Sequence, residues 1–415
     1  MAALLTGALG TDPENTVSYQ AFPLLAAMLL VGAGFAPFFR AKFAVRRNLP
    51  RLVTVGQPFR YRVAVRNLTN KTQRGLVLLD EPADPRPSYA EWRARRWDVA
   101  RRRRSFRLSR PPSLTPFPPV VVSEVVLPTL EARQETTVTV QAVAWQRGLV
   151  RWQHVMVARP DPLGLFRALV RMPAPQTLVA LPRRYPLPPL ALPGRLQYQP
   201  GGVALASRVG QSEEFVSLRD YRRGDPLRHI HWRSFARVGH PIVKEFEDEY
   251  FARHALVLDT FTEQLQGEVF EEAVSVAASF ACTVLTQESL LDLLFVGPQA
   301  YCFTAGRGLA QADQMLEILA GVQPCQDRPF SDLERLVLGH VPLISGCICV
   351  LLAWDTPRRG LVERLRSLGV PVWTLVVVPA GSRLARQADA ATNRAEHVQV
   401  LESGRIAEGL ARLPW

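Results

Sequence analysis

Histidine and cysteine are scarce in this 415-residue chain, with 7 and 5 copies. The cysteines, Cys282, Cys302, Cys325, Cys347 and Cys349, are odd in number, lie in the last third, and show no CxxC or Cys/His spacing, which excludes a recognisable zinc site. Three of them stand in apolar runs, where a reduced thiol serves as a small core residue, so a reducing compartment is expected. No basic segment precedes the first long apolar run and no small-residue cleavage site follows it, which argues against a secretory signal peptide. No nucleophile or paired-acid arrangement accompanies His229, His231 or His240, so a hydrolase is the least favoured class and no enzymatic activity is expected. Acidic residues are missing from one region in particular. Between Arg40 and Arg110 there are 20 Lys+Arg against 5 Asp+Glu, while the remainder carries 30 against 32. The net charge of +13 therefore belongs to one region rather than to the whole protein.

What is present fits a globular chain of two or three domains, with 47% apolar and 21% charged residues. After an N-terminal extension, residues 1–20, the stretch Ala21 to Phe39 carries no charge. At ~1.5 Å per residue it spans roughly 28 Å as a helix, close to a bilayer's hydrocarbon thickness. Asp12 and Glu14 precede it and Arg40, Lys42, Arg46 and Arg47 follow, so the positive-inside rule predicts one span of the inner (plasma) membrane with the bulk of the chain cytoplasmic. A buried core helix or an interfacial hairpin is the competing reading.

Residues 43–181 read as a β-rich domain. Phe59, Tyr61, Val63 and Val65 alternate with Arg60, Arg62 and Arg66, and Val120–Leu127, Thr136–Ala144 and Gly148–Val157 are further β-branched runs. An antiparallel sandwich is the expected solution. An insert, 89–110, concentrates arginine, including Arg101, Arg102, Arg103 and Arg104, among Trp92, Trp97 and Phe106. It reads as a solvated hairpin or helix, as a patch laid on an anionic membrane surface, or as a nucleic-acid contact, although no named nucleic-acid module matches. Residues 182–205 hold six prolines between Pro182 and Pro200 and predict an extended connector.

From 254 to 415 strands and helices alternate, which predicts an α/β domain with a mostly parallel sheet. Strand Ala255–Asp259 ends in an acid; a helix carries Ala273, Val276, Ala277, Phe280 and Val284; strand Leu290–Val296, a hairpin through Tyr301–Thr304 and helix Leu309–Ala320 follow. Ser331 is the expected N-cap of the next helix. Strand Ile344–Ala353 runs to Asp355, helix Arg358–Leu368 stops at Gly369, and strand Val370–Val378 completes the set. Asp259 and Asp355 both fall at carboxyl ends of strands, where such sheets place ligands.

Between connector and α/β domain, residues 206–253 hold a charge-dense run, Leu218 to Asp248, that interleaves Arg, Asp, Trp and Tyr with apolar residues. Gly224-Asp225-Pro226 reads as a turn with Asp225 capping a short helix, which sets Arg228 and Trp232 on one face. The positions Arg219, Tyr221, Gly224, Asp225, Arg228, Ile230, Trp232, Ala236, Arg237, Val243 and Glu245 resemble the signature of domain-of-unknown-function family 58. Arg147-Gly148 and Asp161-Pro162-Leu163-Gly164-Leu165-Phe166 are similar to the family's second, weaker signature. The family is bacterial and usually membrane-anchored. The resemblance implies a von Willebrand factor A-like α/β domain and cooperation with a MoxR-type AAA+ ATPase in envelope protein assembly or maturation. Such domains often hold Mg²⁺, and by resemblance Asp259, Ser331 and Asp355 match three of the ligand positions. Phe261 and Glu263 replace the two expected serines; Phe261 offers no oxygen, and Thr260, Thr262 and Glu263 are the nearest substitutes.

The expectation is an α+β multi-domain protein: a transmembrane helix, a sandwich-like β domain and the α/β domain. Its expected role is that of a non-enzymatic scaffold or adaptor that requires no cofactor. Arg219, Tyr221, Gly224, Asp225, Arg228, Trp232, Arg237 and Glu245 then act either as a lock between domains or as a docking surface for a protein partner. The rival readings are a divalent-metal-dependent receptor and an anionic-surface binder acting through the insert.

Overall fold

The computed structural model describes residues 16–35, 39, 41–84, 119–187, 215–223, 227, 230–246, 253–262, 267–285, 290–306, 309–382 and 398–412. The chain divides into two compact units, Met1–Leu181 and Pro182–Trp415. The arginine-rich insert, with Arg101 to Arg104, lies outside the described residues, as do Gly224, Asp225 and Arg228.

In the first unit, helix α1 (Thr16–Phe35) covers most of the expected span, whose residues 36–38 lie outside the described residues. Among the described residues no helix is long and apolar enough to cross a membrane. Among the described residues nine strands follow: β1 (Phe43–Asn48), β2 (Leu52–Thr54), β3 (Pro58–Asn67), β4 (Val77–Leu79), β5 (Val120–Val122), β6 (Val125–Val126), β7 (Glu135–Ala144), β8 (Gly148–Pro160) and β9 (Arg167–Leu181). They form a four-stranded antiparallel sheet, β1-β3-β7-β5, and a five-stranded mixed sheet, β2-β9-β8-β4-β6, in which β2 runs parallel to β9. The second sheet is thus not purely antiparallel. The run expected as one strand, Val120–Leu127, is two: β5 pairs with β7 and β6 with β4, so the chain changes sheet around Ser123-Glu124.

Alternation along β3 places Tyr61, Val63 and Val65 inside and Arg60, Arg62 and Arg66 outside, as period two demands. These residues share one core with Val140 and Ala142 of β7 and with Leu78, Trp152, Val155 and Leu178 of the other sheet. The core contains a buried ion pair. Arg47, expected as a charge flanking a membrane span, instead bonds Asp80 through Nε (2.8 Å) and Nη2 (2.6 Å). Its remaining N–H groups reach the carbonyls of Ala174 and His154, and Tyr61 donates its hydroxyl to Asp80 at 2.6 Å. Every partner comes from a different strand or strand end, so the lock fixes how the two sheets meet.

The second unit opens with a hairpin, β10 (Phe215–Asp220) and β11 (Ile242–Phe246), whose connection carries the short helix α2 (Trp232–Val238). Then come β12 (Arg253–Leu258), α3 (Glu268–Leu285), β13 (Leu290–Val296), β14 (Ala300–Ala305), α4 (Leu309–Gly321), α5 (Ser331–His340), β15 (Gly346–Leu351), α6 (Thr356–Ser367), β16 (Val372–Val378), β17 (Val398–Glu402) and α7 (Ile406–Ala411). The sheet order is β14-β13-β12-β15-β16-β17, parallel except for the edge strand β14. On one face Ala255, Val257, Cys347, Cys349 and Leu351 pack against Leu333 and Val337 of α5 and Leu361 and Leu365 of α6. The alternate residues Leu256, Leu258, Ile348 and Val350 are equally buried, and α3 lies across β12, β13, β15 and β16. Helices therefore cover both faces. Strand β17 extends the sheet beyond β16, and helix α7 follows it; neither is marked by the sequence pattern, which ends at Val378.

The start of the proline-rich segment is not free connector. Tyr185 donates its backbone N–H to Ser279 Oγ at 2.8 Å and its hydroxyl to Glu272, both on α3.

Candidate functional site

Among the described residues, three places gather chemistry-bearing side chains. The first is the hairpin that holds the charge-dense run. Tyr221 N–H donates to Pro241 O, His231 N–H to Ile242 O, and Ile230 bridges Val243; these last two are the buried apolar residues of the motif. Helix α2 starts after His231, whose Nδ1 lies 2.7 Å from Ser234 Oγ, and ends at Gly239. Gly239 adopts φ +77° so that its N–H closes onto Phe235 O, a conformation that costs other residues a strained backbone. No residue of α2 is buried. Trp232 is 63% exposed and makes an edge-on contact with Phe235, while Val238 is 53% exposed. Arg222, Arg223, Arg233 and Arg237 are exposed around them. Of the sequence-chosen residues, Arg219 and Tyr221 are half-buried, Trp232 and Arg237 are exposed, and Glu245 pairs with Ser217 in the ladder.

The second place is the carboxyl edge of the parallel sheet. Strands β12 and β15 are neighbours, so Asp259 and Asp355 are brought to one edge as expected. Between them stands Arg358, which sequence reasoning passed over. Its Nε donates to Asp259 Oδ2 at 2.6 Å, its Nη1 to Asp355 Oδ2 at 2.5 Å and its Nη2 to Phe261 O at 3.0 Å. Asp259, fully buried, also accepts from the N–H groups of Phe261 (Oδ1) and Leu352 (Oδ2), each at 3.0 Å. Burial pushes its carboxyl up from the ordinary range, while Arg358 and the two N–H groups pull it back. Asp355 caps α6, accepting from Arg358 N–H, which places a residue three positions into the helix beside the capping carboxylate.

Ser331 does not cap α5. The N-cap position is Phe330, with no side-chain cap bond, and Ser331 is the exposed first helical residue. The side chain that reaches the acid pair from this loop is the Phe330 ring, 5.0 Å from the Arg358 guanidinium and edge-on to Phe261 at 5.5 Å. Thr260 is buried and donates to Val296 O, and Glu263 lies outside the described residues. Among the described residues no group of three His, Cys, Asp or Glu side chains is placed to hold a metal ion.

The third place is a cavity of about 440 Å³ in the first unit, lined by Gly32, Phe39, Arg74, Arg159, Asp161 and Phe166 among others. Its wall includes the expected Asp-Pro-Leu-Gly-Leu-Phe turn. Asp161 Oδ1 accepts from Phe166 N–H at 2.9 Å, and Gly164 sits at φ +68°. A Cβ on Gly32 would meet Asp161 Oδ2 and the Phe166 ring at 2.8 Å, so glycine is what lets α1 approach this turn.

Comparison with known proteins gives a family match within the second unit. Residues 217–341, which run from the hairpin through α5, match the family described as "Protein of unknown function DUF58". The chain is also similar to "Uncharacterized protein YeaD" of Bacillus subtilis (strain 168), 26% identical over 272 residues. That match takes in 65% of this chain and 64% of the relative, less than two thirds of its length. Among solved structures, the CARDB domain of PF1109 from Pyrococcus furiosus covers 34% of this chain and 94% of that one, at 12% identity and a TM-score of 0.19. The native conformation of E. coli alpha-2-macroglobulin covers 42% of this chain and 9% of that one, at 14% identity and a TM-score of 0.20. Likenesses this slight decide nothing about the fold.

Proposed function

We propose that this chain, whose residues 217–341 match the DUF58 family, is a non-enzymatic, membrane-associated adaptor that docks a protein partner on helix α2 and its hairpin. One observation carries this reading: α2 buries none of its residues, yet it presents Trp232, Phe235 and Val238 beside Arg233 and Arg237. Tryptophan and arginine are the residue types that dominate binding hot spots. A two-stranded hairpin is marginal by itself and gains from being covered. The basic surround favours a partner with an acidic rim around an apolar groove. A MoxR-type AAA+ ATPase is the partner that the family resemblance suggests.

Membrane association is supported by the charge-free run 21–39 and by the apolar side chains that α1 leaves exposed, Leu24 at 63% and Leu30 at 74% among them. The test is a pull-down from cross-linked membranes, native chain against Trp232→Ala/Phe235→Ala, with bound proteins identified by mass spectrometry. A MoxR-type ATPase held by the native chain and lost by a variant with unchanged melting supports the adaptor. Equal retention by a folded variant refutes docking on α2.

A further inference from the structure

We infer that Arg358 is the permanent cation of the sheet's carboxyl edge, standing where the family resemblance implies a divalent ion, so that this edge is built to work without metal. The residues present do not fit an ion. A divalent cation needs several free oxygens at 2.0–2.6 Å in a regular shell. Asp259 has both oxygens committed, one to Phe261 N–H and the other to Leu352 N–H and Arg358 Nε. The Asp355 carboxylate is engaged through both oxygens by Arg358 itself, Oδ1 by its backbone N–H and Oδ2 by Nη1. What closes the space is aromatic: Phe330 lies over the guanidinium and Phe261 against Phe330, and neither side chain has an oxygen to give. The third guanidinium nitrogen is satisfied by Phe261 O, so the cluster is complete in itself.

A guanidinium differs from a bound ion in one functional respect: it cannot leave. An ion-held edge switches with metal supply, whereas this edge is fixed whenever the unit is folded. Partner recognition at this edge is therefore insensitive to chelators.

The experiment is a melting curve of the full-length protein with EDTA, Mg²⁺ or Mn²⁺, for the native chain, Arg358→Ala, Arg358→Lys and Asp259→Asn. The native chain is expected to melt at one temperature in all three conditions. Arg358→Ala frees two carboxylates at one edge and is expected to melt lower in EDTA and to recover by roughly 3 °C in about millimolar Mn²⁺. Should Arg358→Ala not fold, Arg358→Lys keeps a positive charge and is expected to fold and ignore metal. A saturable, divalent-dependent rise in the native chain that disappears in Asp259→Asn overturns the inference, as does a metal-dependent Arg358→Lys.

Discussion

The two units solve one problem, an acid held away from water, in two ways. In the β unit Arg47 and Asp80 are sealed between the sheets, with side-chain exposures of 0% and 1%, and every other bond of the pair goes to a carbonyl or to the Tyr61 hydroxyl. In the α/β unit Arg358 and Asp259 sit at the rim, and the arginine shares itself with Asp355, whose side chain is 46% exposed. The first arrangement fixes the meeting of two sheets and has no second acid to fall back on. The second holds a place where such sheets put ligands, and it is expected to withstand the loss of one acid better because another remains. Position in the fold, rather than the ion pair itself, decides what each arginine does.

The comparison breaks most visibly at Asp80. Asp80→Ala leaves Arg47 charged and buried without its carboxylate, so a loss of about 3–5 kcal/mol in urea-induced unfolding is expected. Arg47→Met/Asp80→Leu removes both charges and is expected to recover most of that loss; if the double variant is as unstable as the single, the pair contributes more than mutual compensation.

Next in size is a pH effect confined to the α/β unit. His254, on β12 and only 3% exposed, has its pKa lowered by burial to about 4. Below its ordinary value near 6.5 the unfolded chain takes up a proton that the folded chain refuses. Stability is therefore full above about pH 6.5 and falls as the pH drops towards 4, by roughly 3 kcal/mol in all. Denaturation series at several pH values check this, and His254→Leu should flatten the decline over that window. An unchanged slope in His254→Leu would assign the acid sensitivity to other groups.

At the rim, Asp259→Asn is expected to cost about 2 kcal/mol, less than Asp80→Ala, because Arg358 keeps Asp355. A larger loss than that of Asp80→Ala would reverse the ranking of the two locks.

These locks also mark where sequence reading succeeds and fails. Period-two alternation in Phe59–Val65 and helical recurrence in Ala273–Val284 are local patterns, and the structure follows them. Strand-end acids are local too, so Asp259 and Asp355 were placed correctly. Their partner was not, because Arg358 lies 99 residues from Asp259 and no local period links them. The one local clue was the spacing from Asp355 to Arg358, an N-cap and a residue three positions into the helix. Arg47 was misread for the same reason: a basic residue after an apolar run looks like a membrane flank until Asp80 is brought beside it by sheet pairing. Ser331 shows the opposite failure, a sound propensity overridden by a loop that places Phe330 at the cap.

The smallest effect on stability is expected where the proposed effect on function is largest. Trp232→Ala removes a side chain that is 63% exposed, on a helix with no buried residue, so unfolding free energy should change by less than about 0.5 kcal/mol. The locks behave in the opposite sense, since their arginines are committed inside the fold and their loss is read in stability. If Trp232 is a docking residue, its substitution leaves the melting curve in place while partner retention collapses. If Trp232→Ala instead lowers stability by 2 kcal/mol or more, the tryptophan is covered within the chain itself. The signature would then be an internal fastening, of the same kind as the two arginine locks.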